Sequence, residues 1–150
     1  MLAVSAPVRP DSWDFPLLVH VLGAMLLVGT LVLTVTALVL AWRNDDPALA
    51  RLGYRSLLLG VLPAWIVMRA AGQWMYSEEG WSGDNDPTWL GIGYMVGDAG
   101  LLILLLTTGF AFWWKRSNKP VAGRIVAGLS LVYLVLLGVA WLAMSGKWGS

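Results

Sequence analysis

A chain of 150 residues that is 58% hydrophobic and only 13% charged carries more apolar side chain than a water-soluble domain of that length can hide, so lipid is the expected solvent. A net charge of +1 offers no nucleic-acid surface. The absence of cysteine excludes disulfides, thiolate metal sites and a thiol nucleophile, and with them the quinone-linked thiol oxidoreductases.

No basic start, short apolar run and small-residue cleavage site precede residue 15, so no cleavable signal peptide is expected and the first helix serves as its own insertion signal. Four apolar stretches follow, at about residues 15–42, 57–76, 89–114 and 121–144. At a helical rise each can cross a hydrocarbon layer of about 30 Å. Their short connections leave no room for a separate soluble module. The predicted fold is therefore all-α: a polytopic membrane protein forming one four-transmembrane-helix bundle over residues 1–150.

In the first stretch His20, Gly23, Leu27, Thr30, Thr34, Ala37 and Ala41 recur at alternating spacings of three and four, which places them on one seam. Small and polar residues mark helix contacts in lipid, where apolar residues can face outward. The second stretch is preceded by Asp46 and Pro47, a cap followed by proline at the first helical position. A helix beginning there would carry Arg51 and Arg55 on one face along the membrane surface. Pro63 removes a backbone donor and predicts a kink. Trp65, well inside this stretch, is expected to pack between helices.

The loop from residue 77 to 88 is acidic through Glu78, Glu79, Asp84 and Asp86. Asp84, Asn85 and Asp86 lack the glycine and terminal glutamate of an EF-hand and are read as a solvated loop. Asp86 and Pro87 predict a capped start to the third helix. In that helix Gly93 and Gly97 lie beside Asp98, a small-xxx-small pair that invites another backbone. Pro120 is placed to start the fourth helix, whose Ser130, Tyr133, Leu137 and Trp141 share one face.

Lysine and arginine set the orientation. Arg43, Arg51, Arg55, Lys115, Arg116, Lys119 and Arg124 lie in the loops after the first and third stretches, against Arg9 and Lys147 on the other side. The positive-inside rule then puts both termini outside, N-out and C-out, in a bacterial cytoplasmic (inner) membrane. Trp13, Trp42, Trp74, Trp89, Trp113, Trp114 and Trp141 fall near helix ends, where indoles anchor at the interface.

His20, Arg69 and Asp98 are the ionisable residues inside the stretches, at comparable depths of roughly 7, 10 and 13 Å. An unpaired central Arg or Asp costs about 2.5–3.5 kcal/mol, so Arg69 and Asp98 are expected to form a buried or half-buried pair between the second and third helices. Gln73 and Tyr76 follow Arg69, and Tyr94 precedes Asp98, all at helical spacings. They extend one intramembrane polar cluster, with His20 placed to hydrogen-bond into it. A cluster of this kind locks helix register. Alternatively, Asp98 or His20 carries a proton or ion in a small coupled transporter, although the membrane glutamate that small four-helix multidrug exporters carry in helix one is missing.

The segment Leu17 to Gly29, LLVHVLGAMLLVG, resembles the opening helix of bacterial integral membrane families in which a histidine precedes a glycine-containing apolar run. These include copper-resistance D-type proteins and four-helix relatives of unknown function. The resemblance implies metal or haem handling with His20 as the position of interest. Because His20 is the only histidine, a bis-histidine haem would need a homodimer or another axial ligand such as methionine. Met68, Met75, Met95 and Met144 supply thioethers suited to Cu(I) and equally serve as core fillers.

No phosphate-binding loop, nucleotide fingerprint, nucleophile elbow or HExxH motif occurs, and the chain is not expected to be an enzyme. The sequence reading is a structural or accessory membrane component with no required cofactor. Its partners would be lipid and either a second copy or another membrane protein.

Overall fold

The computed structural model describes residues 12, 14–81, 83, 86–117 and 119–146. Trp13, Asp84 and Asn85, and the terminal cations Arg9 and Lys147, lie outside the described residues. Helix α1 spans Asp14–Asn44, α2 Pro47–Ser56, α3 Leu62–Glu78, α4 Thr88–Ser117 and α5 Pro120–Gly146. A π turn, Leu57–Val61, joins α2 and α3 into one path. The four paths Asp14–Asn44, Pro47–Glu78, Thr88–Ser117 and Pro120–Gly146 are long and apolar enough to cross a membrane.

Local chemistry sets the boundaries. Asp46 has extended backbone angles, and its Oδ1 accepts from the N–H groups of Ala48 (2.7 Å) and Leu49 (3.4 Å). Pro47 follows at the first helical position, where its missing N–H costs nothing. Asp86 behaves differently from the expected cap. Its carboxylate accepts from the Tyr76 hydroxyl (2.8 Å) and the Gly83 N–H (3.2 Å), while the first turn of α4 bonds to the Pro87 carbonyl. A cross-loop phenol competes successfully for that carboxylate, so Asp86 ties the loop rather than capping α4.

Pro63 marks a widened turn directly before it. Lacking an N–H, it cannot close an α-type bond to the Leu59 carbonyl, and the Leu62 N–H reaches back to the Leu57 carbonyl instead. The turn is seated on α1. The Thr30 carbonyl accepts from the Thr34 hydroxyl (2.8 Å) and the Ser56 hydroxyl (3.0 Å). A Cβ at Gly60 would stand 2.7 Å from Thr30 Cγ2, so only glycine lets the π turn lie this close to α1.

Leu27, Leu31, Leu57, Val61, Leu104, Val126 and Tyr133 are fully buried, with the small polar residues Thr34, Thr107 and Ser130 among them. Large apolar residues such as Met25, Leu59, Leu102 and Val135 are exposed on the exterior. Of the predicted α1 seam, Gly23, Leu27, Thr34, Ala37 and Ala41 are buried and His20 and Thr30 half-buried. The predicted α5 face needs correcting, because Trp141 is 68% exposed and the buried line runs through Val126, Ser130, Tyr133, Ala140 and Ala143. Small residues let α4 approach there, and an indole would hold it away.

Helix α4 packs along α5, and α1 lies against α2, α3 and α5. The tightest approaches are Gly23, where a Cβ would stand 2.9 Å from the Met68 backbone nitrogen, and Gly100, whose missing side chain is replaced by the Tyr133 phenol. Consecutive helices α3 and α4, by contrast, barely approach as backbones. The expected backbone contact at Gly93 and Gly97 is therefore not what occurs. Gly93 faces the Met144 sulfur, and Gly97 the aliphatic stem of Arg69.

Candidate functional site

With their backbones apart, α3 and α4 are joined by side chains. Arg69 Nε donates to Asp98 Oδ1 at 3.1 Å, and Nη1 donates to Gln73 Oε1 at 3.2 Å, one helical turn further on. The guanidinium carbon stands 4.7 Å from the centre of the Tyr94 ring, within reach of a cation–π contact. The Tyr94 hydroxyl donates to the Gly72 carbonyl (3.4 Å), and the Trp65 indole N–H to the Gly97 carbonyl (3.2 Å). Trp65 thus bridges the gap by a polar contact as well as by packing.

The ion pair is shallower than expected. The Arg69 side chain is 27% exposed and that of Asp98 66%. Separation of α3 from α4 leaves the carboxylate at the outer surface of the bundle, while the guanidinium turns inward under Tyr94. Tyr76 stands at the margin of the cluster. Its ring meets Tyr94 edge-on at 5.3 Å, and its hydroxyl points away to Asp86.

His20 does not join the Arg69 network. Its Nδ1 lies 2.9 Å from the Met68 carbonyl oxygen. A carbonyl can only accept, so Nδ1 carries a proton and Nε2 is the ring nitrogen left outside this hydrogen bond. Gly72 makes this seat: a Cβ there would stand 3.2 Å from both Cε1 and Nδ1 of the ring. The physical reason His20 leaves the cluster is the closeness of α1 to α3 at Gly23, which presents the α3 backbone before any side chain.

Between α1, α3, α4 and α5 lies a chamber of about 950 Å³. His20, Arg69, Tyr76 and Tyr94 line it, but Asp98 and Gln73 do not. The rest of the wall is mostly apolar and includes Gly72, Gly93 and Gly97. The donors facing the chamber that suit haem iron or copper are one imidazole and the thioethers of Met68, Met75 and Met144; Met95 lies outside it and is exposed. No group of three or more His, Asp or Glu side chains placed to hold a metal occurs among the described residues.

Neither the chamber nor the roles of Trp65, Gly72 and Tyr133 were legible as a site. The continuation of Gly93 and Gly97 to Gly100, at i, i+4 and i+7, was the available signal for a smooth inner face on α4. No family model matches the chain, and neither a curated protein nor a solved structure matches it.

Proposed function

We propose that this chain is a small multi-pass protein of the bacterial cytoplasmic membrane, with both termini outside, acting as a structural or accessory component of that membrane. Its Arg69-centred cluster is a strut that fixes the spacing of α3 and α4. The observation that carries this reading is the pairing of Arg69 with Asp98 across two helices whose backbones barely meet. An apolar exterior around small and polar inward residues supports insertion in lipid, and the arginine-rich end of the bundle supports the orientation. Lipid is the surrounding partner, with a second copy or another membrane protein on the exposed helical faces.

The experiment has two parts. Arg69→Ala lowers the thermal midpoint in detergent by leaving Asp98 without its cation, and adding Asp98→Asn restores most of it. Ion uptake that Asp98→Asn abolishes without touching stability would replace the strut by coupled transport. Because the chain has no cysteine, single cysteines report topology cleanly: Thr88→Cys is labelled by an impermeant maleimide on intact cells, and Lys119→Cys only after permeabilisation. The reverse pattern overturns the orientation.

A further inference from the structure

We propose that the chamber between α1, α3, α4 and α5 is a binding site for a neutral, membrane-dissolved molecule with a flat, oxygen-bearing ring and an aliphatic tail, of the quinone or quinol class. The inference rests on the membrane reading only for the route of entry. At about 950 Å³ the space falls at the upper end of the range of small-molecule sites, which are mostly apolar with a few placed polar groups and occur between helices of bundles. That suits a ring head followed by the first part of a tail.

The route is lateral. Val21, Met25 and Val28 of α1 and Trp141 of α5 line the chamber and are also exposed on the outside of the bundle. The chamber is therefore continuous with the apolar exterior, and its occupant comes from the hydrocarbon phase.

Charge selects a neutral head. Arg69 is the cation of the lining and Glu79, ten residues further along the chain, the anion, so the lining carries no net charge that would draw an ionic head. An anionic phospholipid or fatty acid is further disfavoured because Asp98 already engages Arg69.

Polar groups of complementary kind face the space. His20 has Nδ1 committed to the Met68 carbonyl, so Nε2 is its ring nitrogen available to a ligand, an acceptor in the Nδ1–H tautomer. Arg69 uses Nε for Asp98 and one Nη1 hydrogen for Gln73, and keeps further N–H donors. An acceptor for a ring hydroxyl and a donor for a ring carbonyl are what the two oxidation states of such a molecule require. A thin wall is supplied by Gly72, Gly93 and Gly97, whose lack of a side chain lets the His20 ring, the Met144 thioether and the Arg69 stem lie close against the helices, and this favours a flat head over a bulky one.

The test uses the full chain in nanodiscs of phosphatidylcholine, titrated with a benzoquinone carrying a decyl tail and followed by tryptophan quenching, since Trp89 and Trp141 line the chamber. Wild type shows a saturable component of one molecule per chain above the linear background of lipid partition. His20→Leu weakens it about fivefold to tenfold, the loss of one hydrogen bond. Val28→Trp, at an exposed position on the entrance, removes the saturable component with helix content and thermal midpoint unchanged.

Purely linear quenching identical in all three proteins overturns the proposal, as does tighter competition by palmitate than by the quinone. So does a Soret band in the protein as purified, which would give His20 to haem. Each of these results leaves the Arg69–Asp98 unfolding experiment unaffected, so the strut and the binding site fail separately.

Discussion

The phenol of Tyr133 occupies the space that a side chain at Gly100 would need, with its hydroxyl against the α4 backbone. Tyr133 is fully buried, so α4 and α5 meet there with no free volume. Gly100→Ala is therefore expected to destabilise the bundle by about 1–3 kcal/mol through overpacking. Gly109→Ala in the same helix, where a Cβ meets nothing within 4 Å, should leave the thermal midpoint unchanged or slightly raised. Equal effects at the two sites would show that propensity rather than packing governs α4.

Gly23 plays the corresponding part between α1 and α3. An added Cβ would stand 2.9 Å from a backbone atom, the nitrogen of Met68, which cannot move aside as a flexible side chain can. Gly23→Val is expected to push α1 away and break the His20 to Met68 hydrogen bond. The readout is the imidazole Nδ1–H proton by NMR, which should lose its protection from exchange in the variant and keep it in wild type.

The Thr30 carbonyl receives two hydroxyls, from Thr34 and Ser56. Ser56→Ala removes the one that ties the second span to α1 and should cost about 0.5–1.5 kcal/mol, read from the unfolding midpoint. Thr34→Ala removes an intrahelical bond instead. It should cost less from that bond, with any larger loss reflecting its buried methyl.

Tyr76 and Gly83 share the Asp86 carboxylate. Tyr76→Phe frees one side of this link and Asp86→Ala both. Hydrogen exchange over the described part of the loop should therefore accelerate with the first substitution and further with the second. Unchanged exchange at Gly83 in both variants would mean that the loop is held by other contacts.

At the basic end the Arg124 guanidinium carbon stands 4.1 Å from the Trp42 ring centre, joining the start of α5 to the end of α1. Arg124→Gln should lower stability by about 0.5–1 kcal/mol, and Arg124→Lys should recover part of it. A loss unrelated to the charge of the substituent would assign Trp42 to lipid contact alone.

The number of helices and their approximate limits were legible because hydropathy, proline and aspartate act locally. The pairing partner of Arg69 was legible for a different reason: embedded charges are few, so Asp98 stood out. What could not be read was the distance between helices. Gly93 and Gly97 have the spacing of a backbone contact, yet they face Met144 and Arg69, because the seating of α3 is decided by Gly23 and Gly60 against α1. That long-range choice also took His20 out of the cluster, exposed Asp98 and opened the chamber. Asp86 departs from its expected role because a capping pattern says nothing about a tyrosine ten residues upstream.

The π turn at Leu57–Val61 fixes the azimuth of everything after it. Each residue of an α-helix advances the chain by about 100°, and a π turn accommodates one residue beyond regular α winding. Deleting a single residue from this turn would rewind α3 by that angle, swinging the guanidinium of Arg69 off Tyr94 and out of line with Asp98. The polarity of the interior is thus indexed by one surplus residue, placed a full helical turn and more before the first charge it aims.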